Sequence, residues 1–367
     1  MAKELKVAFA GARRSGSFFQ AFQNHPATQI VALCDLHEPT LLEIGKATHI
    51  TSLYTNYEKM LDEVQPDIVV VATPMHYHVA QSIAALQRDI HVLCEVTAAV
   101  SLDECRWLVA ACKRSSAVYM MAENVIYRKP VVLIQAMVEA GLFGETYYAE
   151  GEYIHELSAL HHTPAGQPTW RYYWQVGVNG ATYPTHSLGP CLQWIQERPN
   201  RISCVGSGRW TDPEHALEDT VLLLCKTASE KLIRIRVDML SKRPHATTNF
   251  SLQGTKGAFE GARRPGEGNW VWLEDYCKDP NEWLPLEQFE AEFLPPIWRN
   301  PPPEALAAGH GGGDYFEVMD FVDAVQGKKP PTVGIHQAMD MTLPGLISQG
   351  SIRQGGAWLD VPDTRDW

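Results

Sequence analysis

The chain has 367 residues, of which 45% are hydrophobic, and a formal net charge of -12 at pH 7. This length favours two domains that each bury a full core, while the negative charge argues against nucleic acid or an anionic membrane surface as a partner. The sequence contains no run of about 18 apolar residues, so no membrane span is predicted. No signal peptide fits before Leu5. The eight cysteines include no Cys-x-x-Cys pair, which predicts a reduced, cytoplasmic chain.

The first 124 residues alternate between short apolar strands and helical segments. Strands are predicted at Lys6–Ala10, Ile30–Cys34, Ile68–Ala72, Ile90–Cys94 and Val118–Met121, and helices at about Ser17–Asn24, Pro39–Thr48, Tyr57–Val64, Tyr77–Gln87 and Leu102–Arg114. Strands that are almost continuously apolar are typical of a parallel sheet with helices on both faces. Residues 1–124 are therefore predicted to form a doubly wound α/β domain of the Rossmann type.

A phosphate-binding loop is predicted at residues 11–16, between the first strand and the first helix. Gly11 supplies the tight turn, Gly16 allows the helix to pack closely on the strand, and the helix N-terminus offers amide donors to a pyrophosphate. Arg13 takes the place of the middle glycine of this motif, and it or Arg14 can pair with phosphate oxygens as a planar donor. Asp35 ends the second strand, where a carboxylate accepts hydrogen bonds from ribose hydroxyls and favours NAD over NADP. The predicted cofactor-binding residues of this region are Gly11, Arg13, Arg14, Ser15, Gly16 and Asp35.

The pattern changes after residue 124. A helix at about Pro130–Ala140 precedes longer, alternating strands, which are predicted at Thr146–Ile154, Ser203–Arg209, Thr220–Lys226, Leu232–Met239 and Thr248–Gln253. Two irregular stretches interrupt them: Gly166–Pro184 is crowded with aromatic residues, and Leu294–Gly313 is rich in proline and then glycine. Residues 125–367 are therefore predicted to form an α+β domain with a large open, mostly antiparallel sheet.

Two segments that follow predicted strands carry a family resemblance. Residues 72–78 read Ala-Thr-Pro-Met-His-Tyr-His, and residues 94–97 read Cys-Glu-Val-Thr. Together they resemble the Gfo/Idh/MocA oxidoreductase family, in which the open sheet of an α+β substrate domain faces the nicotinamide of a Rossmann domain. That family ends the second of these strands with Glu-Lys-Pro, and the lysine exchanges the proton that accompanies hydride transfer. Val96 stands in its place here, and a branched hydrocarbon exchanges no proton. The residues that the resemblance places along the nicotinamide half of NAD are Thr73, Pro74, His76, Glu95 and Asn124.

Residues 179–190 carry a more specific resemblance. They read Asn-Gly-Ala-Thr-Tyr-Pro-Thr-His-Ser-Leu-Gly-Pro, with Thr182 where most Gfo/Idh/MocA members have an aspartate. This string resembles glycoside hydrolase family 109, which hydrolyses α-N-acetylgalactosaminides with tightly held NAD and also lacks the lysine of the Glu-Lys-Pro motif. Further matches are the pairs Glu123-Asn124 and Trp170-Arg171, Tyr153, and the segment His310–Tyr315.

The resemblance implies a glycosidase that works by transient oxidation. A sugar hydroxyl at C3 is oxidised by NAD, the proton at C2 then becomes acidic, the group at C1 leaves, water adds, and the hydride returns. We expect His186 to act on the C3 hydroxyl, because an imidazole titrates near neutral pH, and Tyr183 or Tyr153 to act at C2. The residues predicted to bind substrate are Glu123, Trp170, Arg171 and His310, the last on a glycine-rich loop that closes on substrate.

Two other interpretations remain open on the sequence. One is an NAD-dependent sugar or polyol dehydrogenase in which His186 or Tyr183 replaces the missing lysine. The other is a cofactor-binding protein without turnover. Metal binding by His155, Glu156, His161 and His162 is not predicted, because their spacing matches no helical ligand pattern. The resemblance also implies a homo-oligomer that pairs through the open C-terminal sheet.

Overall fold

The computed structural model describes residues 4–247 and 249–367. Their contacts group into two compact units, one with residues up to Tyr127, Pro302–Met339 and Thr364–Trp367, and one with Arg128–Pro301 and Asp340–Asp363. Residues 302–339, which the predicted boundary at residue 124 assigns to the second domain, thus cluster with the first. The boundary at residue 124 itself stays a prediction.

The first unit contains a six-stranded parallel sheet within the described residues, with helices between the strands. The strands are β1 (Leu5–Ala10), β2 (Thr28–Cys34), β3 (Leu53–Tyr54), β4 (Ile68–Val71), β5 (His91–Glu95) and β6 (Tyr119–Ala122). The helices are α1 (Ala12–Asn24), α2 (Glu38–Thr48), α3 (Tyr57–Val64), α4 (His78–Leu86) and α5 (Leu102–Arg114). The strand order β3-β2-β1-β4-β5-β6 is that of a Rossmann domain, as predicted.

The apolar strands of this sheet are buried, as their almost continuously apolar sequences predict. All four residues of β4 and all four of β6 are buried, as expected of strands with helices on both faces. The short strand β3 was not predicted, because two residues are too few for a periodic pattern. Helix α1 begins at Ala12 rather than near Ser17, because Gly11 alone makes the turn from β1.

The second unit contains a nine-stranded, mostly antiparallel sheet, counted over the described residues. Its strands are β7 (Thr146–Ile154), β8 (Pro199–Gly206), β9 (Val221–Thr227), β10 (Leu232–Asp238), β11 (Phe250–Gly254), β12 (Gly257–Glu260), β13 (Trp270–Leu273), β14 (Leu284–Pro285) and β15 (Leu359–Asp360). The helices are α6 (Lys129–Glu139), α7 (Trp170–Trp174), α8 (Thr185–Ile195), α9 (Glu290–Phe293) and α10 (Pro296–Arg299). The order is β14-β13-β12-β11-β7-β10-β9-β8-β15, and β7 pairs with β10 in parallel. The predicted strand at Thr248–Gln253 begins at Phe250, and Thr248 lies outside the described residues.

Helix α8 covers one face of this sheet. Its Trp194 is fully buried, stands edge-on to Phe250 and Phe259, and donates a hydrogen bond to the carbonyl of Val131. A residue of this size supplies much of the apolar area of a core. The end of α8 is thereby fixed on the sheet.

Three helices complete the chain: α11 (Pro303–Ala307), α12 (Gly313–Val325) and α13 (Ile335–Arg353). Helix α12 packs on α1 in the first unit. No helix in the described part of the chain combines the length and the hydropathy that a membrane crossing requires.

Candidate functional site

The turn after β1 depends on Gly11. Its φ of 91° lies in the left-handed region, and a Cβ on it would come within 2.3 Å of the carbonyl oxygen of Ala72, so only glycine fits. Asp35 accepts hydrogen bonds from the backbone N–H groups of Ala12 at 2.9 Å and His37 at 2.8 Å. The predicted carboxylate therefore lies at the N-terminus of α1, where the helix dipole favours negative charge.

The roles predicted for other residues of the phosphate loop change in the structure. Gly16 is exposed, and a Cβ on it would meet no atom within 4 Å, so close helix–strand packing does not require this glycine. Ser15 is buried, and its hydroxyl donates to the carbonyl of Gly11 at 2.7 Å. Arg13 is exposed, whereas Arg14 forms an ion pair with Glu95, with 2.5 Å between Nε and Oε1. Arg14 thus links the first helix to the end of β5.

A histidine and an aspartate are joined at the start of α12. Nδ1 of His310 lies 2.9 Å from both carboxylate oxygens of Asp314, and Asn124 donates to the same carboxylate at 2.8 Å. Asp314 is fully buried. Burial raises the pKa of Asp314, but the hydrogen bonds from His310 and Asn124 outweigh burial, so the pKa lies below its usual range. The carboxylate therefore stays ionised and orients the His310 ring through Nδ1.

The glycines around His310 are required by this geometry. Gly311 and Gly312 have φ of 69° and 94°, and a Cβ on Gly313 would lie 2.5 Å from the carbonyl oxygen of Asn124. His310 itself has a φ of 55°. The segment is thus a tight turn packed against Asn124, and it holds the His310 ring over Asp314.

Two further glutamates are buried beside this pair. Glu123, predicted to bind substrate, is fully buried and accepts a hydrogen bond from the N–H of Val125 at 3.2 Å. Glu317 is also fully buried, and neither of its carboxyl oxygens has a hydrogen-bond partner among the described residues. Burial, with the charges of Asp314 and Glu95, raises the pKa of Glu317 well above its usual range. Glu317 is therefore a neutral carboxylic acid at neutral pH.

The three residues predicted to be catalytic lie together in the second unit. The ring centroids of Tyr153 and Tyr183 are 5.5 Å apart, those of Tyr153 and His186 are 5.5 Å apart, and those of Tyr183 and His186 are 5.4 Å apart. Tyr153 comes from β7, and the other two flank the start of α8. A Cβ on Gly151 of β7 would lie 2.6 Å from the carbonyl oxygen of Ser187. This glycine lets α8 approach the strand closely enough for the three rings to meet.

His155 extends this cluster. Its Nδ1 lies 2.8 Å from the hydroxyl oxygen of Tyr153, and its ring centroid lies 3.9 Å from that of His245. Burial lowers the pKa of His155 to about 4, with help from His245 and from the Arg171 guanidinium. His155 is therefore neutral, and its Nδ1 is able to accept the proton of the Tyr153 hydroxyl.

The aromatic stretch predicted to be irregular contains the short helix α7. Its Arg171 lies over the ring of Trp170, at 4.4 Å from the centroid, and donates to Gln175 at 3.0 Å. Both predicted substrate-binding residues are half-buried. The predicted site residues are thus divided between the two units. Those up to Asn124 and His310 lie in the first unit, and those from Tyr153 to His186 lie in the second.

Comparisons with known proteins decide the family. Residues 127–211 and 207–366 match the model described as "Glycosyl hydrolase 109, C-terminal domain". The chain belongs to glycosyl hydrolase family 109. Residues 5–123 match the model described as "Oxidoreductase family, NAD-binding Rossmann fold", so the predicted relation to the Gfo/Idh/MocA family is confirmed as well.

Individual relatives agree with this family 109 assignment. The chain is 30% identical to an α-N-acetylgalactosaminidase of Tannerella forsythia, over 91% of this chain and 80% of that protein. It is 29% identical to a glycosyl hydrolase family 109 protein of Stenotrophomonas maltophilia, over 91% and 83%. Among solved structures, a levoglucosan dehydrogenase in complex with NADH and levoglucosan superposes with a TM-score of 0.83 at 20% identity, covering 98% of this chain and all of that one. The last likeness concerns the fold.

The first unit of this family 109 chain fits the NAD that its Rossmann domain implies. Gly11 gives the turn at which backbone approaches a pyrophosphate. Asn124 is 2% exposed, and its side-chain carbonyl oxygen has no hydrogen-bond partner within the described residues. A buried acceptor without a donor is costly, and a donor on a bound cofactor would satisfy it. The residues that would hold NAD are those predicted in the phosphate loop, Asp35, and the residues at the ends of β4, β5 and β6.

Asp314, Glu317 and His155 are candidate site residues that the sequence does not single out. Asp314 follows His310 in a glycine-rich stretch, and its fully buried position comes from tertiary packing of α12. His155 belongs to a histidine-rich stretch whose spacing does not predict a metal site. A weak sequence signal for His155 exists, because it directly follows β7 and lies two residues after Tyr153, and side chains two apart on extended backbone point to the same side.

Proposed function

We propose that this family 109 chain is a glycosidase that cleaves its substrate by transient oxidation with a retained NAD. The observation that carries the proposal is the cluster of Tyr153, Tyr183 and His186, which groups three proton-transferring side chains in one place. Bound NAD would accept a hydride from the sugar and later return it. Since the hydride returns, no cofactor is consumed and no proton-exchanging lysine for net redox turnover is required. Val96, at the place of that lysine, is buried and apolar.

The chain's own residues would move protons at three positions of the substrate. His186 takes the proton of the C3 hydroxyl as this carbon is oxidised. Tyr153 takes the proton from C2, which the new ketone acidifies, and the electron pair expels the group at C1. His155 supports this step because its neutral Nδ1 lies 2.8 Å from the Tyr153 oxygen. Tyr183, in ring contact with both, is the alternative base at C2.

His310 is the proposed proton donor to the departing group. Asp314 holds Nδ1 at 2.9 Å and leaves Nε2 as the position that gains and loses a proton. A buried carboxylate orients an imidazole in this way in the dyads of acid–base enzymes, and it fixes which ring nitrogen faces the substrate. The His310 side chain is 39% exposed, so the ring is accessible to substrate while its partner is not.

The substrate class follows from the family. The relative in Tannerella forsythia is named an α-N-acetylgalactosaminidase, and we take an α-linked N-acetylgalactosaminide as the first substrate to test. The paired carboxylates of ordinary glycosidases are not needed in this mechanism.

The test is an absorbance spectrum of the purified protein before and after denaturation, followed by nitrophenyl glycosides supplied without NAD. The proposal predicts a dinucleotide that is released only on unfolding, and aglycone release without accumulation of NADH. NADH that accumulates when a free sugar and NAD are added would show a dehydrogenase instead. Bound NAD without any sugar chemistry would show a cofactor-binding protein without turnover.

A further inference from the structure

His78, the first residue of α4, is held between two loops of the first unit. It is 1% exposed. Its Nδ1 lies 2.8 Å from the carbonyl oxygen of Thr97, in the loop after β5, and its Nε2 lies 2.8 Å from the carbonyl oxygen of Thr73, in the loop after β4. Each ring nitrogen therefore has its own carbonyl partner at an ordinary hydrogen-bond distance.

A carbonyl oxygen only accepts, so both ring nitrogens of His78 must donate. A neutral imidazole has one N–H, and an imidazolium has two. We propose that His78 is a positioning residue, protonated throughout the neutral pH range, that ties the loop after β4 to the loop after β5. A neutral ring would place a nitrogen lone pair against one of the two carbonyls, and that contact would open.

The groups around His78 are compatible with a buried cation. The Cys94 thiol faces it from β5, and His76 lies close in the turn before α4. Tyr57 and Tyr119 lie beside Cys94, and burial raises the pKa of both hydroxyls well above their usual range, so they carry no charge. His76 is the other basic group, and burial, followed by the charge on His78, lowers its pKa.

Two effects oppose the charge and are outweighed. Burial alone lowers the pKa of the His78 imidazole, and the positive end of the α4 dipole acts in the same direction. The Cys94 sulfur, which faces the ring, and the hydrogen bonds to the carbonyls of Thr97 and Thr73 act more strongly and raise the pKa of His78 from 6.5 to about 9. The imidazolium is thus the folded-state form over the whole neutral range.

The role assigned to His78 deepens the proposed function. The loop after β4 carries Thr73 and Pro74, and the loop after β5 begins directly after Glu95. These three residues are among those predicted to bind the cofactor. Thr97 is 1% exposed, and its hydroxyl donates to the carbonyl of Ala99 at 3.1 Å, so the second loop is fixed at the point where His78 binds it. His78 thereby places a cation, buried from solvent, behind the loop that carries the uncharged Val96.

The test is ¹⁵N NMR of the histidine rings, recorded on the whole protein between about pH 6.5 and about pH 9. These limits are the ordinary pKa of histidine and the raised pKa of His78. We expect both ring nitrogens of His78 to carry protons across most of this range, with the signal assigned by its loss in His78→Gln. His91 is an internal comparison, because its Nδ1 accepts from the N–H of Val118 at 2.9 Å and so carries no proton. A neutral His78 ring at about pH 7.5 would overturn the proposal, whatever the activity of the protein.

Hydrogen exchange gives a second readout if His78→Gln does not fold. The amides of residues 73, 75–77 and 96–100 should become less protected together in the wild-type protein as pH rises through about 9, after correction for the intrinsic pH dependence of exchange. His91→Gln should leave the protection of both segments unchanged at pH 7. Loss of protection in only one of the two loops would contradict the proposal that His78 ties them together. The proposed glycosidase function would be unaffected by that result.

Discussion

At the scale of single residues, His186 and Tyr153 are close neighbours, and their surroundings suit proton transfer. Tyr183 touches both rings, and His155 binds the hydroxyl of Tyr153. The sequence predicts Tyr183 and His186 from the segment at residues 179–190, and it predicts Tyr153 from its position on a strand. It does not predict a role for His155, because the hydrogen bond between His155 and Tyr153 depends on burial that no local sequence pattern shows.

Replacing His186 by Ala should remove turnover and leave the cofactor bound. Loss of a positioned acid or base typically costs about 10²–10⁴-fold in rate. The rate of aglycone release and the dinucleotide absorbance of the purified variant test this. The matched control is His49→Asn, because His49 is exposed and has a φ of 59°, a conformation that Asn accepts. Activity that survives His186→Ala would refute the role.

Acid should destabilise the protein through its buried neutral histidines. Burial lowers the pKa of His155 to about 4, and burial with His215 does the same to His161. Between about pH 4 and the ordinary value of 6.5, the unfolded chain binds a proton at each ring and the folded chain does not. Stability should therefore be intact above 6.5 and fall as pH decreases through this window.

Urea midpoints across this pH range measure the effect. His155→Gln should reduce the slope of stability against pH by about one proton, while the exposed His49→Asn should not. An unchanged slope in His155→Gln would show that His155 is already charged in the folded state.

At the scale of elements, the packing of α8 on β7 brings together the rings of Tyr153, Tyr183 and His186. Gly151→Ala should push the two apart, because the new Cβ would lie 2.6 Å from the carbonyl oxygen of Ser187. Overpacking of this kind costs about 1–3 kcal/mol, and activity should fall as well because the rings separate. Gly268→Ala is the control, since its Cβ would meet only ordinary contacts at 3.5 Å. Thermal unfolding and hydrolysis rates distinguish the two variants.

Helix α12 carries a second testable group, the neutral acid Glu317. Above about pH 4.5 the unfolded chain ionises this carboxyl and the folded chain keeps its proton, so the wild-type stability falls as pH rises. Glu317→Gln keeps the shape and removes the titration. The variant should match the wild type near pH 4.5 and be more stable than the wild type at neutral pH, because only the wild type must keep a buried carboxyl protonated there. Equal melting temperatures at both pH values would show an ionised Glu317.

Much of the element order is predictable because the parallel strands are continuous apolar runs and their helices have clear starts. The limits of α5, Leu102–Arg114, agree with the prediction, since Ser101 caps its first turn by accepting from the N–H of Glu104. The parallel pairing of β7 with β10 and the short helix α7 are not predictable in this way. Strand alternation is the same for either pairing direction, and five aromatic-rich residues give no periodic signal.

At the scale of the whole molecule, bound NAD should contribute to stability. A ligand present at about 100 times its Kd stabilises the folded state by about 2.7 kcal/mol, which corresponds to roughly 3–4 °C in melting temperature for a chain of 367 residues. Protein stripped of dinucleotide under mild denaturation and refolded should melt lower by such an amount and recover on addition of NAD. NADP should restore less, because Asp35 lies at the N-terminus of α1 and repels a 2′-phosphate. Equal recovery with both would refute the role of Asp35.

The first unit is discontinuous, and this has a consequence for how the protein is made. Tyr127 donates its hydroxyl hydrogen bond to Asp320, and the N–H of Met121 on β6 bonds the carbonyl of Val333. These partners leave the ribosome roughly 210 residues after Tyr127, which takes about 10–40 s at 5–20 residues per second. Strand β6, at the edge of the nucleotide-binding sheet, therefore lacks its later partners while the second unit is synthesised. A nascent chain paused in that interval would be the form most exposed to chaperones and to aggregation.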